Sequence, residues 1–341
     1  MFFGIYYCIF LVSLCPCGFF IFDNLRIGKN YMKTAFLFPG QGEQTVGMGA
    51  DFVHDYPDAA SIFEQANKIV GFDLQKICFE GPIEQLNITA ISQPAIFVAS
   101  AAILKVFQSE SATKQIKPDV TAGLSLGEYT ALFAAGLISF EDALVLVFKR
   151  GQAMQDSADR TNGSMLSIIG LDEQKVEQLC KEAAQGELLA AANFNCPGQI
   201  VISGSKSACK RAESIAAKYG AAKAIPLAVN GAFHTSMMAP AAERLASQLD
   251  KTKLGEPSEI KVISNINAEY YNSADQIRAN LKKQLTCPIL WQKCMEKLIA
   301  DGVETFYEIG PGRVLTGLMK RINRKANVIN ISSVQSLKEI V

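Results

Sequence analysis

From residue 32 onward the chain alternates short apolar runs with longer stretches at helical spacing. An apolar run at 35–38 ends in Pro39-Gly40-Gln41-Gly42, as a buried strand stopped by a turn does. Helical patterns follow at 56–70 and 93–108, and the second is so uniformly apolar that it predicts burial on every side. A short strand at 120–123 feeds a helix over 126–135 that Gly136 stops. Ser139-Phe140-Glu141-Asp142 then resembles a capping box that opens a helix running to about 157. Strands that pass directly into helices predict an α/β fold with a parallel sheet.

The pattern changes beyond 160. Strand 164–169, helix 172–184, strands 188–193 and 199–203, helix 205–219 and strand 223–229 read as βαββαβ, the ferredoxin-like arrangement. This predicts a small domain, 161–229, inserted into a larger α/β domain made of 32–160 and 230–330. The larger domain resumes with helix 236–249, strand 260–264, helices 274–285 and 288–301, strand 304–308 and helix 313–323. A cleft between two such domains is a usual place for a substrate.

Residues 1–31 differ from the rest. No charge occurs before Asp23, and an uncharged run of this length can span a bilayer. It lacks a basic leading segment and an A-x-A cleavage site, and Pro16 interrupts it, so a cleaved signal peptide is disfavoured. Two readings stay open: a signal anchor, or a start set too early, with Met32-Lys33-Thr34 opening directly into the first strand. Either way this apolar extension is set apart from the fold.

Composition narrows the function. Lys plus Arg and Asp plus Glu are 33 each, so the net charge of zero excludes the broad basic surface of a nucleic-acid binder. Outside the extension, six cysteines (78, 180, 196, 209, 287 and 294) lack C-x-x-C pairing, and the chain has 2 histidines. Neither a disulfide framework nor a metal site follows, and a reduced, cytoplasmic core is expected.

Gly123-Leu124-Ser125-Leu126-Gly127 matches G-x-S-x-G in the context that gives the motif meaning, a strand before it and a helix after it. Such an elbow needs small flanking residues, pushes the serine outward, and leaves the Leu126 N–H where an oxyanion would form. A serine needs a base, and two histidines are available. His54 lies among Asp51, Asp55 and Asp58 and reads as a surface residue, whereas His234 follows the last strand of the small domain in a glycine-bearing loop. No acidic residue stands in an evident third position, so a Ser-His dyad and a triad both remain open. Arg150, late in an apolar helix, either snorkels to solvent or turns inward to bind a carboxylate on the substrate. Gly42 and Gly47 have P-loop spacing, but Met48 stands where a lysine is required, which excludes that reading.

Taken in order, Phe38-Pro39-Gly40-Gln41-Gly42, Gly123-Leu124-Ser125-Leu126-Gly127-Glu128-Tyr129, Arg150-Gly151, Asn195-Cys196-Pro197-Gly198-Gln199, Phe233-His234 and Glu308-Ile309-Gly310-Pro311-Gly312 resemble the signatures of malonyl-CoA:acyl-carrier-protein transacylases. The resemblance runs from about 32 to 323. It implies an α/β-hydrolase-like large domain, an inserted ferredoxin-like domain, and ping-pong malonyl transfer for fatty-acid synthesis. By carry-over, Ser125 is the nucleophile, His234 the base and Arg150 the clamp on the malonyl carboxylate. Gln41 and Leu126 would supply oxyanion-hole N–H groups, and Gln284 would orient His234 through a carbonyl. Asn195 matches a position near the cleft, and Phe233 and Leu126 look like malonyl-selecting variants. Leu124 departs from the family, which usually has histidine there.

The implied partners are malonyl-CoA and an acidic acyl carrier protein, with no cofactor, no nucleic acid, no membrane contact for the core, and a monomeric state. Lys320, Arg321, Arg324 and Lys325 are a candidate docking patch. The rival activities are a trans-acting acyltransferase of a polyketide synthase and a thioester or carboxyl-ester hydrolase.

Overall fold

A computed structural model describes residues 32–229 and 231–340. The extension 1–31, and with it the choice between an anchor and an early start, lies outside the described residues. Among the described residues, nine strands form two sheets: β1 (Lys33–Phe38), β2 (Val120–Gly123), β3 (Gly163–Ile169), β4 (Leu189–Cys196), β5 (Gln199–Ser205), β6 (Lys223–Pro226), β7 (Lys261–Val262), β8 (Val303–Ile309) and β9 (Asn327–Ile331).

The first sheet is wholly parallel, in the order β7-β2-β1-β8-β9. Strand β1 lies at its centre, and its alternation supplies both faces. Phe36 and Phe38 enter one apolar cluster with the helix Thr89–Ser109, while Ala35 and Leu37 enter another with the helices Trp291–Ala300 and Val314–Ile322. The helix Thr89–Ser109 is long and apolar enough to cross a membrane, yet it is packed into the core. It begins before the expected residue 93, and Pro94, in its second turn, leaves the Ala90 carbonyl without the intrahelical N–H it would otherwise receive.

The second sheet is antiparallel, ordered β4-β5-β3-β6, and two helices, Glu173–Ala184 and Lys206–Ile215, connect its strands. Leu166, Ile168, Val176, Leu179 and Ile202 are among the residues of its own apolar core. Strand β4 is tied to the segment between helices Ala274–Gln284 and Trp291–Ala300, where Phe194 N donates to Ile289 O at 2.9 Å and Ile289 N to Ala192 O at 2.9 Å. Residues from Met32 onward form one compact unit.

Two elements differ from the pattern reading in a way that matters for the fold. The expected strand 223–229 ends at Pro226, with one further hydrogen bond to β3 from Leu227 N to Met165 O at 3.0 Å. The parallel sheet also continues past 330. Edge strand β9 reaches Ile331, and Val334 and Leu337 of a final short helix are buried in the main cluster.

Glycine has a steric reason at the elbow. A Cβ on Gly123 would lie 1.9 Å from the Gly127 carbonyl carbon, and one on Gly127 would lie 2.2 Å from Phe38 O. Backbone cannot yield as a side-chain tip can, so Gly127→Ala should cost about 3 kcal/mol or prevent folding. At Gly317, by contrast, a Cβ meets nothing within 4 Å in a helix, and Gly317→Ala should stabilise by roughly 0.5–1 kcal/mol. Urea unfolding of both variants beside the unaltered protein measures the contrast.

Candidate active site

Strand β2 delivers Ser125 at its end. Ser125 has φ 52°, a left-handed value that costs a non-glycine residue energy and that the elbow must hold in place. Asn265, fully buried, does so from the other side of the sequence. Its Oδ1 accepts from Ser125 N at 2.6 Å and its Nδ2 donates to Gly123 O at 2.9 Å. The Ser125 N–H is therefore used. The N–H groups of Gln41 and Leu126 donate no hydrogen bond among the described residues and remain available to an oxyanion. The Gln41 loop is pinned by its side chain, which donates to Thr89 Oγ1 at 3.2 Å and accepts from Gln93 Nε2 at 3.3 Å.

His234 reaches the serine from a loop that also bends through a left-handed residue, φ 61°. Its Nε2 lies 2.9 Å from Ser125 Oγ and its Nδ1 lies 2.8 Å from the Gln284 main-chain carbonyl. A carbonyl only accepts, so Nδ1 carries the proton and the Nε2 lone pair faces the hydroxyl. The place a carboxylate would hold in a triad is taken by that carbonyl. Burial, and after it the charge of Arg150, push the imidazole pKa down to about 3, against the opposing pull of the Gln284 carbonyl.

Arg150 turns inward and is 1% exposed. Nη1 donates to Gln93 Oε1 at 2.7 Å, and Nη2 donates to Gln284 Oε1 at 2.9 Å and to Ser125 Oγ at 3.0 Å. The guanidinium lies 5.3 Å from the centre of the Tyr129 ring, and its Nε has no hydrogen-bond partner. Among the described residues no carboxylate touches it. Glu128, also buried, is one amide away: Gln284 Nε2 donates to its Oε2 at 2.6 Å and Asn265 N to the same atom at 3.2 Å, while Tyr271 Oη donates to its Oε1. Burial raises the Glu128 pKa to about 7, against these hydrogen bonds and the attraction of Arg150.

The remaining candidates scatter. Phe233 is buried in the main apolar cluster, and Asn195 is 9% exposed on β4 with an Oδ1 that has no hydrogen-bond partner. Neither bonds to the serine. Leu124 donates its N–H to Phe38 O at 3.1 Å and packs beside the second cluster. His54 is exposed and bonds Asp55 at 2.7 Å. Lys320, Arg324 and Lys325 are exposed at the end of the last core helix, but Arg321 is bound to Gln199 at 2.7 Å and to Pro197 O at 3.1 Å, tying that helix to the β4–β5 turn. Gln93, Glu128, Asn265 and Tyr271 were not anticipated as site residues. Of these, Gln93 and Glu128 leave a mark in the sequence, each as a polar interruption of an apolar helix.

A serine hydroxyl that can surrender its proton to a neutral imidazole, beside unused N–H groups, attacks acyl carbons; the site is that of the serine-dependent acyl-transfer enzymes. More narrowly, the chain belongs to the acyl transferase domain family, which matches residues 35–339. The malonyl CoA-acyl carrier protein transacylase of Haemophilus influenzae is 43% identical over 308 residues, spanning 90% of this chain and 98% of that protein. The Bacillus subtilis protein of the same name is 42% identical over 315 residues, with 90% and 98% covered. Among solved structures, an acyl carrier protein S-malonyltransferase from Vibrio cholerae superposes with TM-score 0.86 at 41% identity, over 91% of this chain and 100% of that one. A malonyl-transacylase in complex with its type II polyketide synthase acyl-carrier protein does so with TM-score 0.86 at 41% identity, over 90% and 98%. The α/β fold, parallel sheet plus small antiparallel sheet, is the fold of these enzymes.

The depressed imidazole pKa has a kinetic sign. His234 stays neutral well below its ordinary value of 6.5, so kcat/KM for acylation should show no acid limb there. The folded protein binds fewer protons than the unfolded one in this window, so His234 removes stability as pH falls from 6.5 toward about 3. A pH–rate profile of acylation, with thermal unfolding at each pH, measures both.

Proposed function

We propose that the chain transfers a malonyl group from coenzyme A to the phosphopantetheine thiol of an acyl carrier protein, through a malonyl ester on Ser125, to supply fatty-acid synthesis. The observation that carries this reading is Arg150: a buried guanidinium with a donor on the nucleophile and no carboxylate against it. A plain ester or thioester has no use for such a cation, whereas the free carboxylate of malonate matches its planar fork. The names of the relatives agree.

In the first half-reaction His234 Nε2 takes the Ser125 proton as Oγ attacks the thioester carbon. The carbonyl oxygen becomes an oxyanion on the Gln41 and Leu126 N–H groups. The C–S bond breaks, His234 returns its proton to the departing thiolate, and coenzyme A leaves. In the second, the carrier thiol gives its proton to His234 and attacks the serine ester; the C–O bond breaks and Ser125 recovers the proton. The Gln284 carbonyl holds the imidazolium in place throughout. Every atom needed comes from this chain, the coenzyme A thioester and the carrier thiol, so the reading requires no cofactor.

In this reading the parallel sheet is the core of an α/β-hydrolase-like domain, 161–229 is an inserted ferredoxin-like domain, and the enzyme acts as a cytoplasmic monomer. Phe233, next to the base in sequence, and Asn195, whose buried Oδ1 has no hydrogen-bond partner among the described residues, are assigned to the substrate cleft. Leu124 bonds through its main chain, which a histidine at that position would share, so catalysis survives the departure.

Arg150→Ala should lower malonyl transfer to carrier by roughly tenfold to a hundredfold, the worth of a charge-assisted pair, while leaving acetyl transfer intact or raised. Transfer from each coenzyme A thioester to holo carrier protein, measured with free-acid release, checks this. Release of free malonate with no loaded carrier would make the protein a hydrolase instead.

A further inference from the structure

Three atoms of Gln284 meet four parts of the site. Its main-chain oxygen accepts from His234 Nδ1, and Oε1 accepts from Arg150 Nη2 at 2.9 Å. Nε2 donates to Ser125 O at 3.0 Å and to Glu128 Oε2 at 2.6 Å. The side-chain amide is pseudo-symmetric, and turned over it would set an NH2 group against the guanidinium and a carbonyl against two acceptors. Its orientation thus has to be enforced. The shorter of the two bonds made by Nε2 goes to Glu128, which is itself held by Tyr271 Oη and Asn265 N.

We propose that Glu128 is a positioning residue for acyl selection: by locking the Gln284 amide with Oε1 toward Arg150, it aims the remaining guanidinium donors at the acyl carboxylate. Glu128 is buried on the helix behind the nucleophile and reaches the site through Gln284 and Asn265. Its action through Gln284 on Arg150 falls on carboxylate-bearing acyl groups, whereas action through Asn265 on the Ser125 turn falls on all acyl groups alike, so the malonyl-to-acetyl ratio isolates the former. The lock needs an acceptor rather than a charge, since a carboxamide oxygen at the same place would receive the same Nε2 hydrogen. Its own NH2 would then face Tyr271 Oη, a hydroxyl that accepts as well as donates. The inference rests on malonyl being the acyl group.

The test compares acylation rates of the full chain with malonyl-CoA and acetyl-CoA by quenched flow for Glu128→Ala, Tyr271→Phe and Glu128→Gln. The malonyl-to-acetyl ratio should fall roughly tenfold or more in Glu128→Ala, fall by less in Tyr271→Phe, and return to within about threefold of the unaltered protein in Glu128→Gln. Equal losses for both acyl groups, or a ratio that does not move, would overturn it. Should Glu128→Ala not fold, Tyr271→Phe decides by the same criterion. Absence of malonyl preference in the unaltered protein would instead sink the malonyl reading, a separate result.

Discussion

A guanidinium kept out of water with no carboxylate against it is the constraint on which the rest of this site depends. Removing such a charge from solvent is expensive, and the structure offsets it with neutral acceptors: Gln93 Oε1, Gln284 Oε1, the Ser125 hydroxyl and the face of Tyr129. None of these neutralises the cation, so the cleft stays electrically unfinished until an anionic acyl group enters. The same charge bears on the imidazole: burial first, and Arg150 after it, hold His234 in its neutral form. In the proposed function, selection of the acyl group and activation of the serine thus both involve Arg150.

The fold brings these parts together by strain on rigid supports. Ser125 and His234 both adopt left-handed backbone, each where a loop meets buried structure, and each is overdetermined by hydrogen bonds. The helices that carry Gln93 and Arg150 come close because Gly151 lets them: a Cβ there would lie 2.9 Å from Thr89 O. Gln284 then collects histidine, arginine, serine and glutamate around one side chain and its carbonyl.

Much of this was legible in the sequence where sterics leave no choice. The elbow glycines are compulsory, so Gly123 and Gly127 announced the strand–serine–helix turn, and the periodicities of 161–229 gave the order of the small sheet's strands and helices. Edge strand β9 was missed because Asn327 and Asn330 break its apolar run. Arg150 was ambiguous because an arginine on an apolar helix can face either way, and packing alone decides. Asn265 was invisible for a different reason: it meets Ser125 and Glu128 across some 140 positions of chain, and no local pattern records such a contact.

The claim that matters most is a malonyl ester on Ser125, and intact mass tests it directly. The protein mixed with malonyl-CoA should gain the mass of one malonyl group, lose it again on addition of holo acyl carrier protein, and gain nothing as Ser125→Ala. Consumption of malonyl-CoA without any adduct, or an adduct that persists in Ser125→Ala, would contradict the account.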